Sequence, residues 1–247
     1  MDKVVVGMIP QSRIKTTNSP YTDRYEFLDL YTNKILESGG LPVGLIASNG
    51  GIIEDYLDMC DAFFFPGGSK FEKYHFTTLD YAIKHNKPLL GVCLGMQAIG
   101  VYSDVIDYID SFNIESFFNT YNSLKQSYGG SILLRMNDIF KHNKVSLNYT
   151  NSDKARHEIR VIDLQSKLYE ILENDRLDVV SLHKTVLMNI GSTFKKTAIS
   201  SDNVIEALEI CDEDKFIMGV QWHPEWDSDN KLIRRLVKEG ELRKNGR

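Results

Sequence analysis

Three short stretches of this sequence carry residues that could do covalent chemistry together. The first is Leu89-Leu90-Gly91-Val92-Cys93-Leu94-Gly95-Met96-Gln97, where a cysteine stands at the centre of Gly-x-Cys-x-Gly between an apolar strand pattern and an apolar helix pattern. This is the nucleophile-elbow arrangement with Cys in place of Ser. A sharp strand-to-helix turn strains the nucleophile, and side chains two positions to either side would collide with neighbouring backbone, so both positions call for glycine. The helix N-terminus favours the thiolate, and a nearby histidine favours it further. The second stretch, Gly219-Val220-Gln221-Trp222-His223-Pro224-Glu225, ends a strand pattern on an imidazole with a carboxylate two residues on. His223 could take and return a proton while Glu225 fixes its tautomer, and Pro224 stiffens the turn between them. The third, Phe63-Phe64-Phe65-Pro66-Gly67-Gly68, is a strand pattern running into Pro-Gly-Gly, whose backbone N–H groups can point into a cavity. The N–H groups of Gly68 and Leu94 are the expected oxyanion pair.

Each signal alone has an ordinary reading. An isolated cysteine is most often a small core residue, and Cys60 and Cys211, which lack flanking glycine turns, are read that way. Pro-Gly-Gly also suits a plain loop, and Gly39-Gly40 is expected only to end a helix. Taken together, the three stretches specify acyl transfer with Cys93 as nucleophile, His223 as base and Glu225 as its orienter.

The elements that must position them follow from the hydrophobic patterning. Strand patterns occupy 3–9, 42–46, 62–65 and 88–92, and helical patterns occupy 25–38, 52–59 and 77–85. Such alternation implies right-handed crossovers and a mostly parallel sheet covered on both faces, a three-layer αβα sandwich. Further strands are expected at 158–164, 178–182, 196–200, 204–210 and 216–221, with a short helix at 166–172 and a closing helix at 230–244. The segment 103–127 shows no clean period and is expected to be a partly helical insertion near the site within one domain spanning 1–247. Its aromatic residues Tyr108, Phe112, Phe117, Phe118 and Tyr121, with Tyr102 beside them, could form a lid or pocket wall, or could anchor the segment to the core.

Composition bounds the function class. In 247 residues, 42% are hydrophobic and 26% charged, ordinary for a globular protein, and the net charge of -5 offers no broad attraction for nucleic acid or anionic membrane. No secretory leader pattern opens the chain, and the longest uncharged apolar stretch is too short to span a bilayer, so a cytoplasmic protein is expected. Its three cysteines are far apart, with no Cys-x-x-Cys or Cys/His cluster to suggest a disulfide framework or a zinc site.

Read together, these motifs resemble the class I glutamine amidotransferase family with its flavodoxin-like fold. Within it they are most similar to the γ-glutamyl-γ-aminobutyrate hydrolase-like branch, of the peptidase C26 type. Gly39-Gly40-Leu41-Pro42-Val43, His157-Glu158-Ile159, Val180-Ser181-Leu182-His183 and Asp202-Asn203-Val204-Ile205-Glu206-Ala207 extend the match over nearly the whole chain. The resemblance implies a Cys-His-Glu triad, a glutamyl thioester on Cys93, and no metal or organic cofactor. It also implies substrate contacts from Gly67, Gln97, Ser181 and His183. The sequence departs from that branch after Gln97, where the nearest Gly-Gly-x-Leu-like run, Gly129-Gly130-Ser131-Ile132, comes only after 103–127. The expected activity is hydrolysis of a small γ-glutamyl amide, with a homodimer compatible. The alternative is a glutaminase subunit that feeds ammonia to a separate synthetase, since only a helix follows Glu225.

Overall fold

The computed structural model describes residues 3–14, 24–127, 133–135 and 156–246. In chain order the first half holds β1 (Val5–Met8), β2 (Gln11–Ser12), β3 (Tyr25–Glu26), α1 (Asp29–Glu37), β4 (Leu41–Gly44), α2 (Glu54–Asp58), β5 (Ala62–Phe65), α3 (Lys73–Lys84), β6 (Leu89–Val92), α4 (Leu94–Ile106) and α5 (Ile114–Ser127). There follow β7 (Leu133–Arg135), β8 (Arg156–Val161), α6 (Lys167–Leu172), β9 (Arg176–Val180), β10 (Thr185–Leu187), β11 (Phe194–Ser200), β12 (Ile205–Ile210), β13 (Ile217–Val220) and α7 (Lys231–Asn245).

Nine strands make one sheet in the order β4-β1-β5-β6-β13-β12-β11-β8-β9. The run from β4 to β13 is parallel, and each later pairing is antiparallel, so only β12 and β8 run against the others. Strand side chains alternate between faces, and the core divides accordingly. Phe63, Phe65 and Leu89 pack with residues of α2, α3, α4 and α5, whereas Phe64, Leu90 and Val92 pack with those of α1, α6 and α7. This is the expected three-layer α/β architecture. Parallel strands buried on both faces must be apolar throughout, and β5 and β6 are fully buried Ala-Phe-Phe-Phe and Leu-Leu-Gly-Val.

Register then positions the site. Gly91 and Val92 of β6 lie opposite Gly219 and Val220 of β13, while Phe65 of β5 lies opposite Gly91. The chains leaving the carboxyl ends of three adjacent strands are therefore Pro66-Gly67-Gly68, Cys93-Leu94 and Gln221-Trp222-His223. Crevices at this edge are where open α/β sheets bind ligands.

One sequence expectation needs correction. The helix placed at 25–38 starts only at Asp29, because Tyr25 and Glu26 pair with Ser12 and Gln11 in a small antiparallel ribbon and Glu26 is held there by Arg13 and Arg24. The 103–127 segment is helical at both ends, closing α4 and forming α5. Its aromatics serve as anchors: Phe117 is fully buried, with ring centroids 4.4 Å from Phe76 and 6.0 Å from Tyr102, and Phe112 lies 5.7 Å from Tyr102. Tyr108 is exposed. The Gly129-Gly130-Ser131-Ile132 run lies outside the described residues.

Candidate active site

Cys93 joins β6 to α4 at φ 52° and ψ -104°, a left-handed backbone that few side chains adopt. The flanking glycines are required by proximity. A Cβ on Gly91 would lie 2.6 Å from the carbonyl carbon of Gly95, and one on Gly95 would lie 2.4 Å from the carbonyl oxygen of Phe65. We expect Gly95→Ala to lower stability by roughly 1–3 kcal/mol, the usual cost of overpacking, measurable as a lowered Tm in thermal unfolding. Turnover should fall further, since a misplacement of ~1 Å at the nucleophile can cost about 100-fold. An unchanged Tm would show that the turn has room to spare.

His223 stands beside this elbow. Its Nδ1 is 2.6 Å from Oε1 of Glu225, and both side chains are buried. A carboxylate only accepts, so Nδ1 carries a hydrogen and Nε2 is the nitrogen left for proton exchange with Cys93. Backbone bonds hold the arrangement: His223 N–H donates to the Val180 carbonyl at 2.9 Å, and Cys93 N–H donates to the Val220 carbonyl at 2.8 Å. Burial pushes the His223 pKa down, but the Glu225 carboxylate and the Cys93 sulfur outweigh it and leave it well above the ordinary imidazole value.

One participant escaped the sequence reading. Tyr31 of α1, almost fully buried, accepts a hydrogen bond from the Gly67 N–H at 3.2 Å. Burial, then the charges of Glu225 and Cys93, raise its pKa well above the ordinary phenol value, so it remains a neutral hydroxyl against the triad. Its only trace in the sequence is apolar spacing with Ile35, the other buried residue of α1.

Gly67 is hemmed in. A Cβ there would meet His223 Cε1 and the Tyr31 hydroxyl at 3.1 Å and Cys93 Cβ at 3.4 Å. With its N–H given to Tyr31 and its carbonyl accepting from the Gln11 amide, Gly67 is fixed by its neighbours. Gly68 lies against Leu94, where a Cβ would come within 2.8 Å of Leu94 Cδ2. The structure thus puts Gly68 and Leu94, the residues of the two candidate oxyanion donors, in contact with each other.

The remaining candidates sit differently. Gln97, on the first turn of α4, donates to the Thr185 carbonyl and to Gln221 Oε1, each at 3.0 Å, and accepts from the Thr185 hydroxyl at 3.2 Å. Its amide ties β10 to the end of β13 in this state. Ser181 is fully buried just beyond β9, and its hydroxyl has no hydrogen-bond partner among the described residues. His183 is also buried, but its Nδ1 meets the Thr185 carbonyl at 3.1 Å and its Nε2 is turned towards Glu206.

The Peptidase C26 family model matches residues 121–225. A glutamine amidotransferase-like protein of Rickettsia prowazekii is 25% identical, covering 96% of each chain. This chain is a relative of the class I glutamine amidotransferase-like proteins. The gamma-glutamyl-gamma-aminobutyrate hydrolase of Escherichia coli is 24% identical over 85% of this chain and 82% of its own. The same fold occurs in the glutaminase domain of Trypanosoma brucei CTPS with bound acivicin, at a TM-score of 0.65 and 15% identity, covering 97% of this chain and 94% of that one. The enzyme class is a cysteine-dependent hydrolase acting on C–N bonds. No helix among the described residues is long and apolar enough to cross a membrane.

Proposed function

We propose that the protein hydrolyses a γ-glutamyl amide to glutamate and an amine. The observation that carries this reading is the alignment of Glu225, His223 and Cys93 at the carboxyl edge of the sheet, with Nδ1 of His223 2.6 Å from the Glu225 carboxylate. In this reading the Cys93 thiolate attacks the γ-carbonyl carbon, and the oxyanion that forms is held by the N–H groups of Gly68 and Leu94. The His223 imidazolium gives its Nε2 proton to the departing amine, leaving a γ-glutamyl thioester on Cys93. Water then attacks the thioester, His223 takes its proton, the thiolate leaves, and glutamate is released. Glu225 holds the imidazole and steadies its charged form.

The Escherichia coli relative supports a leaving group larger than ammonia. We expect a panel of γ-glutamyl amides, assayed by glutamate release, to give a kcat/KM at least about 10-fold above that on free glutamine, equivalent to ~1.4 kcal/mol of extra transition-state binding. The amidotransferase-like relative favours a second reading, in which the protein is a glutaminase subunit supplying ammonia to a synthetase. Glutamine proving the best substrate, and only when a synthetase partner is present, would overturn the first reading for the second.

A further inference from the structure

The antiparallel half of the sheet gathers a second group of chemically potent side chains. His157 comes from β8, Glu206 from β12 and His183 from the turn after β9. One ligand atom from each lies within 4.8 Å of the others, the only such grouping found among the described residues. Both imidazoles aim Nε2 at the same oxygen: His157 Nε2 is 3.6 Å and His183 Nε2 is 3.9 Å from Glu206 Oε1. Glu206 and His183 are buried, and His157 stands half-buried at the rim.

The hydrogen bonding of His183 sets what can lie between these atoms. Its Nδ1 is 3.1 Å from the Thr185 carbonyl, which only accepts, so Nδ1 carries a hydrogen and Nε2, turned towards the carboxylate, is the nitrogen a metal ion would take. The two Nε2 to Oε1 separations are 3.6 and 3.9 Å. They are close to the spacing of about 3.3–3.5 Å between two ligands that each sit ~2.0–2.1 Å from one tetrahedral ion. An imidazole whose other nitrogen is fixed by a backbone carbonyl is the usual form of a metal-bound histidine.

We propose that His157, His183 and Glu206 form a binding site for one divalent transition-metal ion of the zinc class, with water as the fourth ligand at the His157 rim. Two imidazoles and a carboxylate suit zinc better than calcium or magnesium, which prefer all-oxygen sets. The Gln221 N–H donates to the Glu206 carbonyl at 2.7 Å, and His223 follows two residues later. The ion would therefore stiffen the strand ends that carry His223, without taking part in thioester chemistry.

Isothermal titration of Zn2+ into tag-free protein carrying Cys93→Ala and Cys211→Ala, which removes the nucleophile and the exposed thiol, tests this. We expect one ion per chain, removed by chelator and accompanied by a higher Tm. His157→Ala should weaken binding by on the order of 100-fold or more, at least the cost of disturbing a ligand's supporting shell. His157 is at the rim, so this variant should keep its fold, checked by circular dichroism. Glu206→Gln gives the same readout where it folds. No saturable binding, or binding unchanged by His157→Ala, would overturn the site and leave a proton-sharing His-Glu-His group instead.

Discussion

Cys93→Ala is expected to lose at least roughly four orders of magnitude in turnover, as loss of the nucleophile does in enzymes that act through a covalent intermediate. The substitution removes only the sulfur. Alanine keeps the same Cβ, so the left-handed backbone at φ 52° acquires no new strain, and the thermal transition should stay close to that of the parent. The other cysteines make a sharp control. Cys60 is buried, with its thiol pKa pushed up to about 11 by burial, and it donates to the Tyr56 carbonyl, so it stays an inert thiol. Cys211 is exposed just after β12, with its thiol 3.6 Å from the Ser192 carbonyl and away from Cys93 and His223 in the chain. Cys60→Ala and Cys211→Ala should both remain active. Acid-quenched mass spectrometry of the parent protein under turnover should show a γ-glutamyl adduct that Cys93→Ala lacks. An active Cys93→Ala variant, or an adduct mapped to another residue, would sink the assignment.

What was legible in the sequence was chemistry tied to local backbone. The elbow could be read because its two glycines answer to contacts within a few residues or with the adjacent strand: Gly91 against Gly95, and Gly95 against Phe65. The layers could be read because fully buried strands are uniformly apolar, as β5 and β6 are. Tyr31 was not legible, since its role depends on α1 crossing the sheet beneath Gly67 and Glu225, and one tyrosine in an amphipathic helix carries no sign of that. His157, His183 and Glu206 were hidden for a related reason. They sit in separate strands or turns, and only the order β12-β11-β8-β9 folds them onto one another. The short strand β10 was missed because its partner β7 pairs outside the main sheet. The aromatics of 103–127 fitted either an anchor or a lid by type alone, and the packing of Phe117 on Phe76 decided for the anchor.

His223→Ala should match Cys93→Ala in severity, and combining the two should cost little more than either alone, because nucleophile and base act as one unit. Glu225→Gln should lose about two orders of magnitude less, as removing an orienter costs less than removing the base it holds. The pH dependence separates these roles. Burial lowers the His223 pKa, and the Glu225 carboxylate and Cys93 together more than reverse it, so the folded protein holds the imidazolium well above the ordinary imidazole range. Stability gained from that proton is fully present below the ordinary pKa and is lost as pH rises through the raised one. Glu225→Gln removes the largest of the raising influences. The alkaline limb of kcat/KM should therefore move to lower pH, and the stability lost on going alkaline should set in earlier. A Glu225→Gln variant whose rate and alkaline limb both match the parent would mean that another group orients His223, and Tyr31, already bonded to Gly67 beside the triad, would be the first to test.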